Sequence, residues 1–318
     1  MSPVFSVVIP AYNEASGLPG ALDRIYAVMN GMGESFEIIV VDDGSTDQTW
    51  NEIESACERQ ESVCGIKLSR NFGKENALCA GLDAAQGEAV ILMDADMQHP
   101  PEVIPQLAEQ WRLGYKIVDG VKRVRGKEGW ASRLAAMFFY RLLENVTPFE
   151  MEGASDFKLM DRDVLNAWKS MGERNVFFRG MSAWVGFERG RVEFDVAERE
   201  AGESKWTQWG LFGLALKAIA SFSTVPLRMV SMTGLLFLVF SFLLAANTIF
   251  QYATGVAVTG FSTVILLILI VSSLILLALG VIGEYIARIY EEVKQRPRYV
   301  VSTCVGTKAP SPSKHSKI

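Results

Sequence analysis

Two carboxylates two residues apart, Asp94 and Asp96, follow the short apolar run Val90-Ile91-Leu92-Met93 and precede Gln98, His99 and Pro100-Pro101. An apolar run of that length reads as a strand covered on both faces. On a strand, side chains at i and i+2 leave the same face, so both carboxylates would point one way and Met97 the other. Paired hard oxygen donors at the carboxyl end of a buried parallel strand suit Mg²⁺ or Mn²⁺, which keep waters and share substrate phosphates. A solvated acidic turn would use the same residues, so Asp-x-Asp alone leaves both readings open. Two earlier turns have a related character. Pro10-Ala11-Tyr12-Asn13-Glu14 offers an aromatic ring and polar groups that can hold a nucleobase, and Asp42-Asp43-Gly44-Ser45 offers carboxylates that can accept from a base N–H or a ribose hydroxyl. Each, taken singly, is also an ordinary strand-to-helix turn that uses Asp and Gly for backbone reasons.

The elements that must carry these turns alternate. Phe5–Ile9, Phe36–Val41, Gly65–Leu68, Ala89–Met93 and Ile117–Gly120 read as strands, and Leu18–Met32, Gln48–Arg59, Lys74–Ala85 and Val103–Leu113 as helices. Strands alternating with helices predict a parallel-type α/β sheet.

The rest of the chain is of another kind. Of 318 residues 49% are hydrophobic, and the mean hydropathy is +0.19. That is too apolar for an ordinary soluble enzyme and points to membrane segments. Residues Met229 to Gly283 contain no charged side chain. Two stretches there, about Met229–Phe250 and Phe261–Gly283, are each long enough to cross about 30 Å of hydrocarbon. Arg228 precedes them, and Arg288, Lys294, Arg296 and Arg298 follow. The positive-inside rule then puts both ends in the cytoplasm. Lys205–Phe222, with Trp206, Trp209 and Phe212, reads as an interfacial amphipathic helix, and Trp130–Val146 is a second candidate. The tail from Cys304 onward, rich in Lys, Ser and Pro, is expected to be disordered. A net charge of -5 gives no reason to expect nucleic-acid binding. The four cysteines have no metal-ligand spacing and read as free thiols. The N-terminus shows no signal peptide, so the N-terminal part is expected to be cytoplasmic.

Together the three turns resemble those of the GT-A fold of nucleotide-sugar glycosyltransferases. Further blocks match in order: Arg70-Asn71-Phe72-Gly73-Lys74-Glu75, Ala154-Ser155-Asp156-Phe157-Lys158, Arg174–Gly180, Ala183–Gly186, Arg199-Glu200-Ala201-Gly202-Glu203-Ser204-Lys205 and Gly283-Glu284-Tyr285-Ile286-Ala287-Arg288. The sequence is similar over nearly its whole length, tail excepted, to the polyprenyl-phosphate hexosyltransferases, relatives of dolichyl-phosphate mannose synthase, and most of all to bactoprenol glucosyltransferases.

The resemblance implies a membrane enzyme of the inner or plasma membrane that moves a hexose, glucose from UDP-glucose, onto undecaprenyl or another polyprenyl phosphate with inversion. It implies nucleotide-sugar binding by Pro10, Tyr12, Glu14, Asp42, Asp43, Lys74, Asp94 and Asp96, and an Mg²⁺ or Mn²⁺ on Asp94, Asp96 and Gln98. It puts Asp156 in the catalytic position and Arg123, Arg125, Arg133, Arg199 and Lys205 on the acceptor phosphate, and it implies a homo-oligomer, a tetramer. His99 could be a ligand of that metal, but it reads first as a surface loop histidine. The expected domains are a GT-A catalytic domain (1–204), an interfacial helix (205–228), two transmembrane helices (229–290) and a basic tail (291–318). GDP-mannose or a UDP-linked modified pentose would fit the same lipid acceptor, and a non-catalytic membrane scaffold on this fold is the alternative of another class. A processive polysaccharide synthase does not fit, because the chain has no Gln-x-x-Arg-Trp block and too few spans for a polymer channel.

Overall fold

The computed structural model describes residues 3–123, 156–171, 178–195, 225–255 and 260–306. The first half alternates: β1 (Phe5–Ala11), α1 (Leu18–Gly31), β2 (Phe36–Asp42), α2 (Thr49–Arg59), β3 (Val63–Leu68), α3 (Lys74–Ala84), β4 (Ala89–Leu92), α4 (Ile104–Arg112) and β5 (Ile117–Lys122). Then come β6 (Lys158–Asp161), α5 (Arg162–Ser170), α6 (Phe178–Trp184), β7 (Arg189–Phe194), the long helices α7 (Val225–Ala253) and α8 (Phe261–Lys294), and β8 (Val301–Val305). Every element predicted in the first half is present, with ends within two residues of the expectation. The predicted interfacial helices, Trp130–Val146 and Lys205–Phe222, lie outside the described residues.

The strands form one eight-stranded sheet in the order β7-β5-β6-β4-β1-β2-β3-β8. Its centre is parallel, β4-β1-β2-β3, and β1 is buried at all seven positions, as a strand covered by helices on both faces must be. The helices supply the cover through one apolar stripe each. In α1 the buried residues Leu18, Ala21, Leu22, Ile25 and Met29 recur at helical spacing.

Two strands depart from the parallel expectation. β6 runs antiparallel between β4 and β5. It is fixed there by Asp161, which caps α5 through the Asp163 N–H and accepts hydrogen bonds from Trp111 Nε1 (2.8 Å) and Lys116 Nζ (3.0 Å). β8 runs antiparallel on the outer edge of β3. This corrects the expectation of disorder at Cys304 and Val305. Its β-branched residues carry little signal alone, but the open edge of β3 supplies the hydrogen-bonding partner they need. Tyr299 donates to Asp83 (2.8 Å), and Arg298 donates to the Met171 carbonyl (2.8 Å) and lies over the Trp168 ring.

The chain divides into two compact units. One holds the sheet, including β8. The other holds α7 and α8, of 29 and 34 residues. They contain two candidate spans, Met232–Gln251 and Ile270–Lys294, that are long enough to cross a membrane and whose apolar windows are not buried by protein. Core helices of a soluble domain would be covered, so these are membrane-associating helices.

Candidate active site

The carboxyl ends of β1, β2 and β4 open into a cleft of about 320 Å³, where α/β sheets bind ligands. Pro10, Tyr12, Glu14, Asp43, Lys74, Asp94 and Asp96 line it, as do Asn71 and Gly73. Of the nucleotide-sugar residues read from the sequence, only Asp42 is not in the wall; it is completely buried.

The first two turns brace each other. The Asn13 N–H donates to Ser45 Oγ, and Asn13 Oδ1 accepts from the Thr46 N–H (2.9 Å). The Glu14 N–H donates to Thr49 Oγ1 (2.9 Å). Asp42 Oδ1 accepts from the Ser45 N–H (2.9 Å), while its buried Oδ2 has no hydrogen-bond partner among the described residues. Asp43 reaches across to the loop before α3: Oδ1 accepts from the Phe72 N–H at 2.7 Å, and Oδ2 from the Gly73 N–H at 2.8 Å. Burial raises the Asp43 pKa, with the two N–H donors opposing. Gly44, at φ +67°, makes the crossing possible, because a Cβ there would collide with the Arg70 backbone.

At the third turn the strand stops at Leu92, and Asp94 and Asp96 lie in an irregular loop with Met97 at φ +57°. Strand alternation is therefore not what orients Asp94, Asp96 and Met97. The Asp96 carboxylate accepts from the Gln98 N–H (3.1 Å) instead. His99 is buried, contrary to the surface reading, stacked on Phe157 (5.1 Å) with Phe194 edge-on (5.9 Å). Burial pushes the imidazole below its usual range. A neutral imidazole can ligate metal, and ligand atoms of Asp94, Asp96 and His99 lie within 4.8 Å of one another. Gln98 Oε1 accepts from Lys122 Nζ (3.1 Å). The sequence signal for His99 was its place three residues after Asp96.

Asp156 arrives by way of the antiparallel strand. Leu92 of β4 pairs with Lys158 of β6, so Asp94, two residues past one partner, and Asp156, two residues before the other, reach the same edge. Lys74, the first residue of α3, joins them: its Nζ is 2.7 Å from Asp94 Oδ1, 2.8 Å from Asp94 Oδ2 and 3.0 Å from Asp156 Oδ2. Burial works against this ammonium, but the two carboxylates outweigh it and raise its pKa. Behind Asp156, the fully buried Lys158 donates to Ser182 Oγ (2.8 Å) and lies 3.5 Å from Asp119, which also accepts from Arg189. Burial lowers the Lys158 pKa. This ionic cluster was not read from the sequence; a lysine inside a strand flanked by Phe157 and Leu159 is its only sign.

Of the residues that the resemblance puts on the acceptor phosphate, Arg123 pairs with Glu193 (3.3 Å). Arg125, Arg133, Arg199 and Lys205 lie outside the described residues.

A cleft at the carboxyl ends of the central strands of a mixed sheet, lined by three acidic or polar turns, is that of a GT-A glycosyltransferase. The chain belongs to glycosyl transferase family 2, whose model matches residues 6–168. It is 42% identical over 303 residues, 95% of both chains, to an uncharacterized glycosyltransferase of Synechocystis sp.. It is 38% identical to the Bacillus subtilis glycosyltransferase YkcC, over 95% of this chain and 94% of that one. It is 40% identical to a prophage-derived bactoprenol glucosyl transferase of Shigella flexneri, over 93% of this chain and 96% of that one.

Proposed function

We propose that this glycosyltransferase moves glucose from UDP-glucose to undecaprenyl or another polyprenyl phosphate, with inversion at the anomeric carbon. The observation that carries the proposal is the 40% identity to a bactoprenol glucosyl transferase over 93% of the chain, a span that takes in both the cleft and the exposed apolar helices.

In this reading the uracil lies against Tyr12, and the nucleoside's hydroxyl or N–H groups approach Asp43, while the fully buried Asp42 holds the turn through the Ser45 N–H. The diphosphate lies toward Lys74, Asp94 and Asp96. These residues fit a divalent cation: hard oxygens from Asp94 and Asp96 converge, with His99 in range and Gln98 beside them. Mg²⁺ or Mn²⁺ held there would supply Lewis-acid neutralisation of the leaving diphosphate. A phosphate monoester has its second pKa near about 6 and is mostly dianionic at neutral pH, so the acceptor needs little deprotonation. Its oxygen attacks the anomeric carbon, the bond to UDP breaks, and UDP leaves with the electron pair. Asp156 orients the acceptor and stabilises positive charge developing at the anomeric carbon. Arg123, Arg125, Arg133, Arg199 and Lys205 are the proposed acceptor-phosphate contacts, since arginine suits bidentate phosphate recognition.

The proposal includes the topology: catalytic unit and both chain ends in the cytoplasm, α7 and α8 crossing the membrane. What supports it is that β8 follows α8 and belongs to the same sheet as β1, which requires an even number of crossings between them. It also carries the tetramer that the resemblance implies, tested by mass photometry in nanodiscs.

The donor is tested by incubating the purified protein with undecaprenyl phosphate, Mn²⁺ and, separately, UDP-glucose, GDP-mannose and a UDP-linked modified pentose. Mass spectrometry is expected to find the hexosyl lipid with UDP-glucose. A product with another donor alone would reassign the sugar, and no product with any donor would revive the non-catalytic scaffold.

A further inference from the structure

Lys74 occupies the place where the cleft most needs positive charge. An ammonium has three donors and no acceptor. Here Nζ lies within 2.8 Å of both Asp94 oxygens and at 3.0 Å from Asp156 Oδ2. Its stem starts at a fixed point, because the preceding Gly73 N–H is held by Asp43 at 2.8 Å. The nearby Lys122 is turned to a neutral partner, Gln98, and does not share this load. Asp94, a carboxylate of the proposed metal set, is therefore already in contact with a cation, and a divalent ion can reach it only by displacing a monovalent one. The diphosphate that comes with the metal brings negative charge, which gives the displaced ammonium a new partner in the same cleft.

We propose that Lys74 is the resident cation of the donor cleft: it holds Asp94 until a metal–nucleotide arrives, then passes to the diphosphate while staying within reach of Asp156. Lys74 is then a positioning residue that ties occupancy of the donor pole to the placement of Asp156. The inference rests on the metal–diphosphate reading above and adds an order of events to it. Two consequences have opposite signs. Removing the ammonium frees Asp94 and leaves neighbouring carboxylates unneutralised, so the bare metal binds more tightly. The same removal takes a cation from the diphosphate, so the nucleotide binds more weakly. A purely structural lysine would not move the two affinities in opposite directions.

The test uses the full-length protein in nanodiscs, with free Mn²⁺ followed by electron paramagnetic resonance and UDP binding by calorimetry. Without nucleotide, Lys74→Met is expected to bind Mn²⁺ about tenfold or more tightly than the wild type, the scale of losing a close competing charge. Lys74→Arg, which keeps the charge, is expected to stay near the wild type. With Mn²⁺ present, Lys74→Met is expected to bind UDP about tenfold more weakly. Lys74→Gln gives the same reading should the Met variant not fold. Neutral variants that bind Mn²⁺ no more tightly than the wild type overturn the inference. Asp96→Ala separates the two levels: wild-type Mn²⁺ binding by that variant overturns the metal reading itself, whereas weakened binding there beside unchanged binding in Lys74→Met overturns only the role of Lys74.

Discussion

Asp43 and Asp94 follow β2 and β4, the two strands that flank β1, and line the same cleft, yet they are held by different kinds of partner. Asp43 is tied by two backbone N–H groups, from Phe72 and Gly73, and its turn is braced to the β1 turn by Asn13 and Ser45. Asp94 is tied by one side chain, Lys74, and sits in a loop past the end of its strand. Backbone donors cannot leave without moving the chain; a lysine ammonium on four methylenes can rotate away. In the proposed reading, the nucleoside end is thus built in advance, and the diphosphate end is built to exchange partners when charge arrives. Preorganisation suits the part of the donor that does not react, and exchange suits the part where charge changes during transfer.

The largest expected effect comes from the exchangeable end. Asp96→Ala should lower Mn²⁺-dependent glucosyl transfer about a thousandfold or more, as loss of several kcal/mol of charge neutralisation would; single-turnover rates on lipid substrate measure it. Asp156→Asn should lower kcat about a hundredfold or more while leaving the UDP affinity within about twofold. Near-normal turnover in a folded Asp156→Asn protein would remove that residue from the mechanism. At the preorganised end, Asp43→Ala orphans the Phe72 N–H and leaves the Gly73 N–H only its 3.1 Å bond to Asn71 Oδ1; it should cost about 1–3 kcal/mol of stability, read from denaturant midpoints, with a matching loss in UDP affinity. Gly44→Ala forces φ +67° on a residue with a Cβ and drives it into Arg70; a cost of about 1–2 kcal/mol or more is expected, with the same two readouts. Tyr12→Ala should have the smallest effect, about tenfold in UDP affinity with kcat unchanged, since an exposed ring contributes base stacking alone. A Tyr12 effect larger than that of Asp43 would invert the comparison.

The parallel centre of the sheet was legible because its strands are buried on both faces and so read as apolar runs between turn residues. The two long helices were legible for a similar reason, a stretch without charge. The antiparallel strands were not. β6 contains Lys158 and Asp161, whose partners Asp119, Ser182, Trp111 and Lys116 come from distant parts of the chain, and β8 exists because β3 has a free edge. Asp94, Asp96 and Asp156 were legible as residue types at motif positions, but the bridge through Lys74 depends on β6 running beside β4 in reverse. His99 looked like a loop residue because Phe157 and Phe194, which bury it, are far away in sequence.

The most direct test of the account is lipid glucosylation with the metal as the only variable. Purified protein with UDP-glucose labelled in the sugar and undecaprenyl phosphate should form labelled glucosyl lipid in Mn²⁺ or Mg²⁺, lose that activity in excess chelator, and regain it when metal is restored. Glucosyl lipid formed at an undiminished rate in chelator would contradict the assignment of Asp94 and Asp96 as the diphosphate pole.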